Sequence, residues 1–172
     1  MVDIVTNEVK HTKARKTDAY LNVSLSRHKF EDNKDRTSQV ITVTPGIDYD
    51  WNAQTTLSAE AFARIEDARD DDYSQSSYGA RISMLRQVDD GFTTNIGYQF
   101  SRRSFDQGGF AENSARDDQE SVVALTGSWD MTESISDDIS LNLQYQYVRC
   151  DSSLSGYDYA RQIGLVSLSK KW

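Results

Sequence analysis

Few side chains in this chain could do covalent chemistry, and they do not converge. His28 follows Ser26 by two residues and precedes Asp32, so a hydrolase triad is conceivable. A triad needs the base hydrogen-bonded to the nucleophile and held by an oriented acid. On a strand the period of two puts Ser26 and His28 side by side on one face, with no acid positioned behind the imidazole. The other histidine, His11, lies near the N-terminus. A histidine at a strand end is therefore the favoured reading, and no catalytic residue is assigned. Asp70-Asp71-Asp72 and Asp117-Asp118 supply oxygen ligands. They lack the alternating spacing of a dedicated Ca²⁺ loop, so they read as solvated loops and no metal site is expected. Cys150 is the single cysteine, which leaves no internal disulfide or thiol-metal cluster. No phosphate loop or other cofactor motif is present in the sequence, and none is assigned.

The patterning around these residues carries more information. From Ile139 to Arg149 every odd position to Tyr147 is apolar or aromatic, and most even positions are Ser, Asn or Gln. That is a strand with one greasy and one polar face. The pattern recurs along the chain and predicts eight strands, at about 18–29, 37–51, 54–66, 75–87, 92–105, 119–130, 138–149 and 158–172. Residues 1–16, with Lys10, His11, Lys13, Arg15 and Lys16, read as a basic tail, a linker or one extra irregular strand. Residues 17–172 read as one β-domain.

The connections alternate in kind. Charged or Gly/Ser-rich stretches follow strands one, three, five and seven. Tighter turns follow two, four and six, where Asp90-Gly91 suits a hairpin. Long loops on one side and short turns on the other are the habit of outer-membrane barrels. Strands rising toward the long loops end in arginine: Arg27, Arg64, Arg102 and Arg149. All three tryptophans, Trp51, Trp129 and Trp172, fall where descending strands reach the short turns. Indole rings favour a membrane interface, which makes them a candidate periplasmic girdle.

Bulk composition agrees. Hydrophobic residues make up 37% of 172 residues and Pro45 is the single proline. Mean hydropathy is −0.67. No apolar run approaches the ~20 residues of a membrane helix. A barrel needs only alternate apolar residues. The net charge of −8 argues against nucleic-acid binding, which rests on phosphate neutralisation.

Parity then sorts the faces. The lipid side takes Leu21, Val23, Leu25, Ile41, Val43, Ile47, Tyr49, Leu57, Ile82, Met84, Ile96, Tyr98, Val123, Leu125, Leu141, Leu143, Tyr145, Val166 and Leu168. The lumen takes Glu60, Arg64, Arg81, Gln99, Arg103, Asn142 and Gln144 among its polar residues. Arg27, Arg102 and Arg149 share the lipid parity at the outer rim. There they could meet lipid and lipopolysaccharide phosphates. Ile163 and Leu165 fall on the inward parity, and strand three is alanine-rich outside.

The run Leu141-Asn142-Leu143-Gln144-Tyr145-Gln146-Tyr147-Val148-Arg149, a Ser-rich loop, Tyr157-Asp158-Tyr159-Ala160-Arg161 and an alternating strand to a final aromatic resembles the ends of proteobacterial outer-membrane β-barrels. Closest in style are the β-barrel porins of exopolysaccharide operons and the barrel domain of surface lipoprotein assembly modifiers. The resemblance implies an all-β antiparallel up-and-down transmembrane barrel in the bacterial outer membrane. It implies eight strands here, or the C-terminal part of a larger barrel. It also implies that Trp172 stands where the barrel-assembly machinery reads a terminal aromatic, usually Phe, although Lys170 departs from the pattern. Polysaccharide or protein cargo follows from the same likeness. The expected function is a non-enzymatic passive pore, export-associated channel or structural membrane protein. A soluble antiparallel β-sandwich used for binding is the alternative; it requires the Leu, Ile and Tyr face to pack on a second sheet. A barrel enzyme built on His28 comes third.

Overall fold

The computed structural model describes residues 2–14, 16–30, 34–70, 73–89, 91–105, 116–131 and 139–170, of which 2–14 by backbone alone. It is one antiparallel meander of nine strands. They are β1 (Val2–Ala14), β2 (Thr17–His28), β3 (Ser38–Asn52), β4 (Thr55–Ala68), β5 (Gln75–Gln87), β6 (Phe92–Phe105), β7 (Arg116–Asp130), β8 (Ile139–Ser152) and β9 (Tyr159–Lys170). Each strand pairs with its sequence neighbours, in the order β1 to β9. All eight strands expected from the alternation form, as β2 to β9. Of the readings open for residues 1–16, Val2–Ala14 take that of one extra irregular strand, β1: its backbone pairs from Val2 opposite His28 to Ala14 opposite Thr17. The register slips between Val9 and Thr12, so β1 is an irregular strand, as its weak alternation allows.

Register decides which residues share a face, because partners across an antiparallel ladder point the same way. Leu21, Val23 and Leu25 stand opposite Pro45, Val43 and Ile41. Ile41, Val43 and Ile47 stand opposite Ile65, Ala63 and Ala59. The row continues through Ala59–Ile82, Ile82–Tyr98, Tyr98–Val123 and Val123–Tyr147. Leu143 meets Val166 and Leu141 meets Leu168. One apolar face thus runs unbroken from β2 to β9, as the parity requires.

That face is not a protein core. Ile82 is 59% exposed, Val166 69% and Leu168 69%, while the buried apolar residues among those described reduce to Val40, Ala68, Met131, Val148 and Cys150. All described strands belong to one sheet, so no second sheet covers the Leu/Ile/Tyr face. The sandwich alternative fails on this point. An apolar surface this extensive needs lipid or a partner to cover it.

Two ring-on-glycine contacts tighten the sheet on its other face. The Tyr20 ring lies over Gly46, and the Phe62 ring over Gly79; a Cβ at either glycine would strike the ring. Gly91, at φ 136°, closes the β5–β6 turn, where Val88 N–H donates to Phe92 O at 2.8 Å. Only glycine takes that conformation without strain.

Candidate functional site

The polar face is a set of ladders. In the central one Tyr20, Gly46, Glu60, Arg81 and Gln99 succeed one another on β2 to β6. The Tyr20 hydroxyl donates to Glu60 at 2.6 Å. Arg81 donates through Nη2 to the Gln99 carbonyl at 2.6 Å, and its Nη1 lies 3.4 Å from Glu60. Glu60 and Arg81 on the inner face are therefore paired and hydrogen-bonded, as partly desolvated charges must be.

A second cluster stands at the long-loop end of β4. Glu66 accepts hydrogen bonds from the Ser38 hydroxyl at 2.7 Å, from Gln75 at 2.7 Å and from Arg64 at 2.8 Å. It lies beyond the apolar outward positions, which on β4 stop at Ile65. Partial burial opposes ionisation of its carboxyl, but the hydrogen bonds from Ser38, Gln75 and Arg64 prevail and hold it below the usual carboxylate range. His28 Nδ1 lies 3.7 Å from the same carboxylate. The structure thus gives His28 an acid neighbour, Glu66, but spends the adjacent hydroxyl, Ser38, on the carboxylate. No hydroxyl–imidazole pair results among the described residues. Asp32 lies outside the described residues.

Further round the rim, Arg116 is held between the rings of Phe105 and Tyr157, at 3.7 and 4.3 Å from their centroids, with Asp118 at 3.2 Å. Asp118 also accepts from the Ser152 hydroxyl at 2.6 Å. Arg103 points toward Phe105, 6.0 Å from its ring centre.

Between these clusters the polar face is open. One cavity of about 350 Å³ is lined by Glu60, Arg81, Asn95, Gln99, Thr126 and Gln146 among others. A second, of about 300 Å³, adjoins it at Gln99 and reaches Arg64, Gln75, Arg103 and Glu120. Together they form a polar track from mid-sheet to the long-loop end. Asn142 and Gln144 continue the same face, opposite Ser128 and Thr126.

Arg102 is paired with Asp117 at 3.0 Å, and Arg149 with Asp151 at 2.9 Å, so both are neutralised in place. Hydrogen bonds from the Ser104 hydroxyl and then from Arg102 hold the Asp117 carboxyl below its ordinary range. Trp51 and Trp129 close β3 and β7 on the short-turn side, 63% and 42% exposed. Trp172, assigned to the same girdle, lies outside the described residues.

Cys150 stands on β8, between Glu120 and Tyr159 of the neighbouring strands, and is buried. The sequence reading missed Tyr20, Ser38, Glu66 and Gln75. Tyr20 shares parity with Asn22 and Ser24, a signal that could have placed it inside. Among the described residues no group of three or more His, Cys, Asp or Glu gathers as metal ligands, and no helix is long and apolar enough to cross a membrane.

An up-and-down meander with one continuous apolar face and one polar, ion-paired face is the wall of a transmembrane β-barrel. Residues 5–172 match the family model of the surface lipoprotein assembly modifiers, and the chain belongs to that family. No curated protein and no solved structure matches it.

Proposed function

We propose that this chain forms barrel wall in the bacterial outer membrane and serves surface lipoprotein assembly as a passive conduit, without chemistry of its own. One observation carries the reading: register places the apolar residues of β2 to β9 on one face and the hydrogen-bonded polar ladders on the other. The first suits acyl chains, the second a wet lumen. The contiguous cavities along Glu60, Gln99 and Glu120 supply room for water and for a polar segment in transit. The family's description makes a lipoprotein the cargo of choice over a polysaccharide.

The sheet's edges set a condition on this reading. Bare strand edges are not tolerated in hydrocarbon, because no water is there to satisfy their N–H and C=O groups. Strands β1 and β9 both run from the long-loop side to the short-turn side. Pairing them directly would make a parallel seam. Antiparallel closure takes an odd number of additional strands, from this chain or another. The barrel is then wider than eight strands, whose interior side chains alone would fill. Delivery to the membrane would run through the barrel-assembly machinery acting on the C-terminal strand.

The test is refolding into lipid followed by planar-bilayer recording. A steady conductance with heat-modifiable gel mobility is expected. A folded monomer in detergent-free buffer sinks the membrane reading; insertion without conductance sinks the conduit.

A further inference from the structure

Two exposed aliphatic side chains of β9 stand on the polar face. Ile163 pairs with Gln146 and Leu165 with Gln144, and those glutamines pair with Ala124 and Thr126 of β7. Partners across an antiparallel ladder point the same way, so Ile163 and Leu165 face inward with the polar ladders. They are 43% and 55% exposed, so neither is packed away. Among the described inward positions the other exposed aliphatic residue is Leu85, on distant β5.

The outer face of β9 is bare at the same level. Gly164, between the two, stands opposite Tyr145, and a Cβ there would meet nothing within 4 Å. Gln162 stands opposite Tyr147. Outward apolar residues resume at Val166 and Leu168, opposite Leu143 and Leu141. Bilayer lipid covers those two; it does not reach Ile163 and Leu165, which lie on the other side of the wall.

The inward pair extends a strip that begins on β7. Val122 and Ala124 line the cavity of about 350 Å³, and so does Gln146, the ladder partner of Ile163. Val122 stands opposite Val148, whose diagonal neighbour on β9 is Ile163. The strip therefore borders the polar track. A lipoprotein in transit brings two chemistries, a polypeptide that hydrogen-bonding ladders suit and acyl chains that a wet lumen does not. Hydrocarbon held in water is unfavourable in proportion to its area, so a conduit for such cargo needs apolar surface beside its polar track.

We propose that the strip formed by Val122, Ala124, Ile163 and Leu165 is a lumenal subsite for the acyl chains of lipoprotein cargo. The subsite rests on the conduit reading and deepens it, giving the cargo's lipid a place separate from the outer wall.

The protein is refolded into phosphatidylcholine vesicles and exposed to a triacylated lipopeptide with a photoreactive diazirine in an acyl chain; labelled residues are mapped by tandem mass spectrometry. A parallel sample carries the diazirine on phosphatidylcholine instead. The lipopeptide should label Ile163 and Leu165, whereas phosphatidylcholine should label Val166 and Leu168 and spare the inward pair. Ile163→Asn with Leu165→Gln should lower lipopeptide labelling at Val122 and Ala124 about tenfold, since two aliphatic contacts turn polar. Ile163→Leu with Leu165→Ile keeps the hydrocarbon and should label as the wild type does. The same peptide without acyl chains should not compete. Equal labelling of the inward pair by phosphatidylcholine overturns the proposal, as does undiminished labelling in the polar double variant or competition by the unacylated peptide. Labelling of the pair by neither probe means that protein covers it, and overturns the proposal too. Heat-modifiable mobility and conductance of the wild type test the conduit reading separately. With both present and the strip unlabelled, the subsite alone fails; with either absent, the conduit fails first.

Discussion

Tyr20 donates its hydroxyl hydrogen bond to Glu60 across an intervening strand, at 2.6 Å. The two residues belong to β2 and β4, and the phenol spans β3 because Gly46 leaves no side chain in the way. A glycine that weakens a strand on its own thereby allows a tie across three strands. Removing the hydroxyl in Tyr20→Phe should cost about 1–2 kcal/mol, since Glu60 keeps Arg81 but loses its shortest donor. Gly46→Ala should cost more, because the ring must leave and the hydrogen bond goes with it. Urea unfolding of lipid-refolded protein measures both. The idea fails if Gly46→Ala is the milder substitution.

The alternation alone settled the strand count from β2 onward and the two faces, because period two is read directly from residues such as Leu141, Leu143, Tyr145 and Tyr147. What it could not show was partnership. The residues that pair with Glu60 and Glu66 come from strands 40 and 28 positions away in sequence, Tyr20 and Ser38, and only register brings them together. Nor could it show the pairing of Arg102 and Arg149. Both end rising strands at the same parity, and only the structure sets Asp117 and Asp151 beside them. β1 was one of three readings of its segment for a different reason: its register slip breaks the alternation on which strand recognition depends.

The two faces should respond oppositely to charge. Ile82 sits in the middle of the apolar row, between Ala59 and Tyr98, and Ser83 beside it faces inward. In a bilayer, Ile82→Arg should cost about 2–4 kcal/mol, while Ser83→Arg, facing a wet lumen, should cost under about 1 kcal/mol. Folding free energies from urea titration in vesicles give both values. Equal costs would mean that lipid does not cover the Ile82 face.

The Glu66 cluster should make stability pH-dependent on the acid side. Its folded carboxyl titrates below the ordinary value of 4.5, despite partial burial, through the hydrogen bonds from Ser38, Gln75 and Arg64. A depressed folded value means that the stabilisation is fully present above the unfolded value. It is lost as pH falls through the lowered folded one. Unfolding midpoints should therefore hold steady from neutral pH down to about 5 and then fall. Glu66→Gln should lower the midpoint at neutral pH and flatten the acid decline relative to wild type. A variant with an unchanged acid limb would assign the decline to other carboxylates, Asp117 first.

Cys150 offers a direct readout of rim packing. Its side chain is buried between β7 and β9, and burial, reinforced by the nearby carboxylates of Asp118 and Glu120, pushes the thiol pKa up. Both effects suppress the thiolate, which is the reactive form. At pH 7 the folded protein should react with maleimide at least about a hundredfold more slowly than the urea-unfolded chain, since burial and thiolate depletion multiply. Replacing Glu120 with Gln removes one of the raising charges and turns the hydrogen bond that the Tyr159 hydroxyl donates at 2.6 Å into a weaker neutral one. That substitution should accelerate labelling by loosening the β8–β9 pair locally. If Cys150 labels rapidly in the folded wild type, β9 does not cover it, and the sheet edge at Tyr159 is frayed.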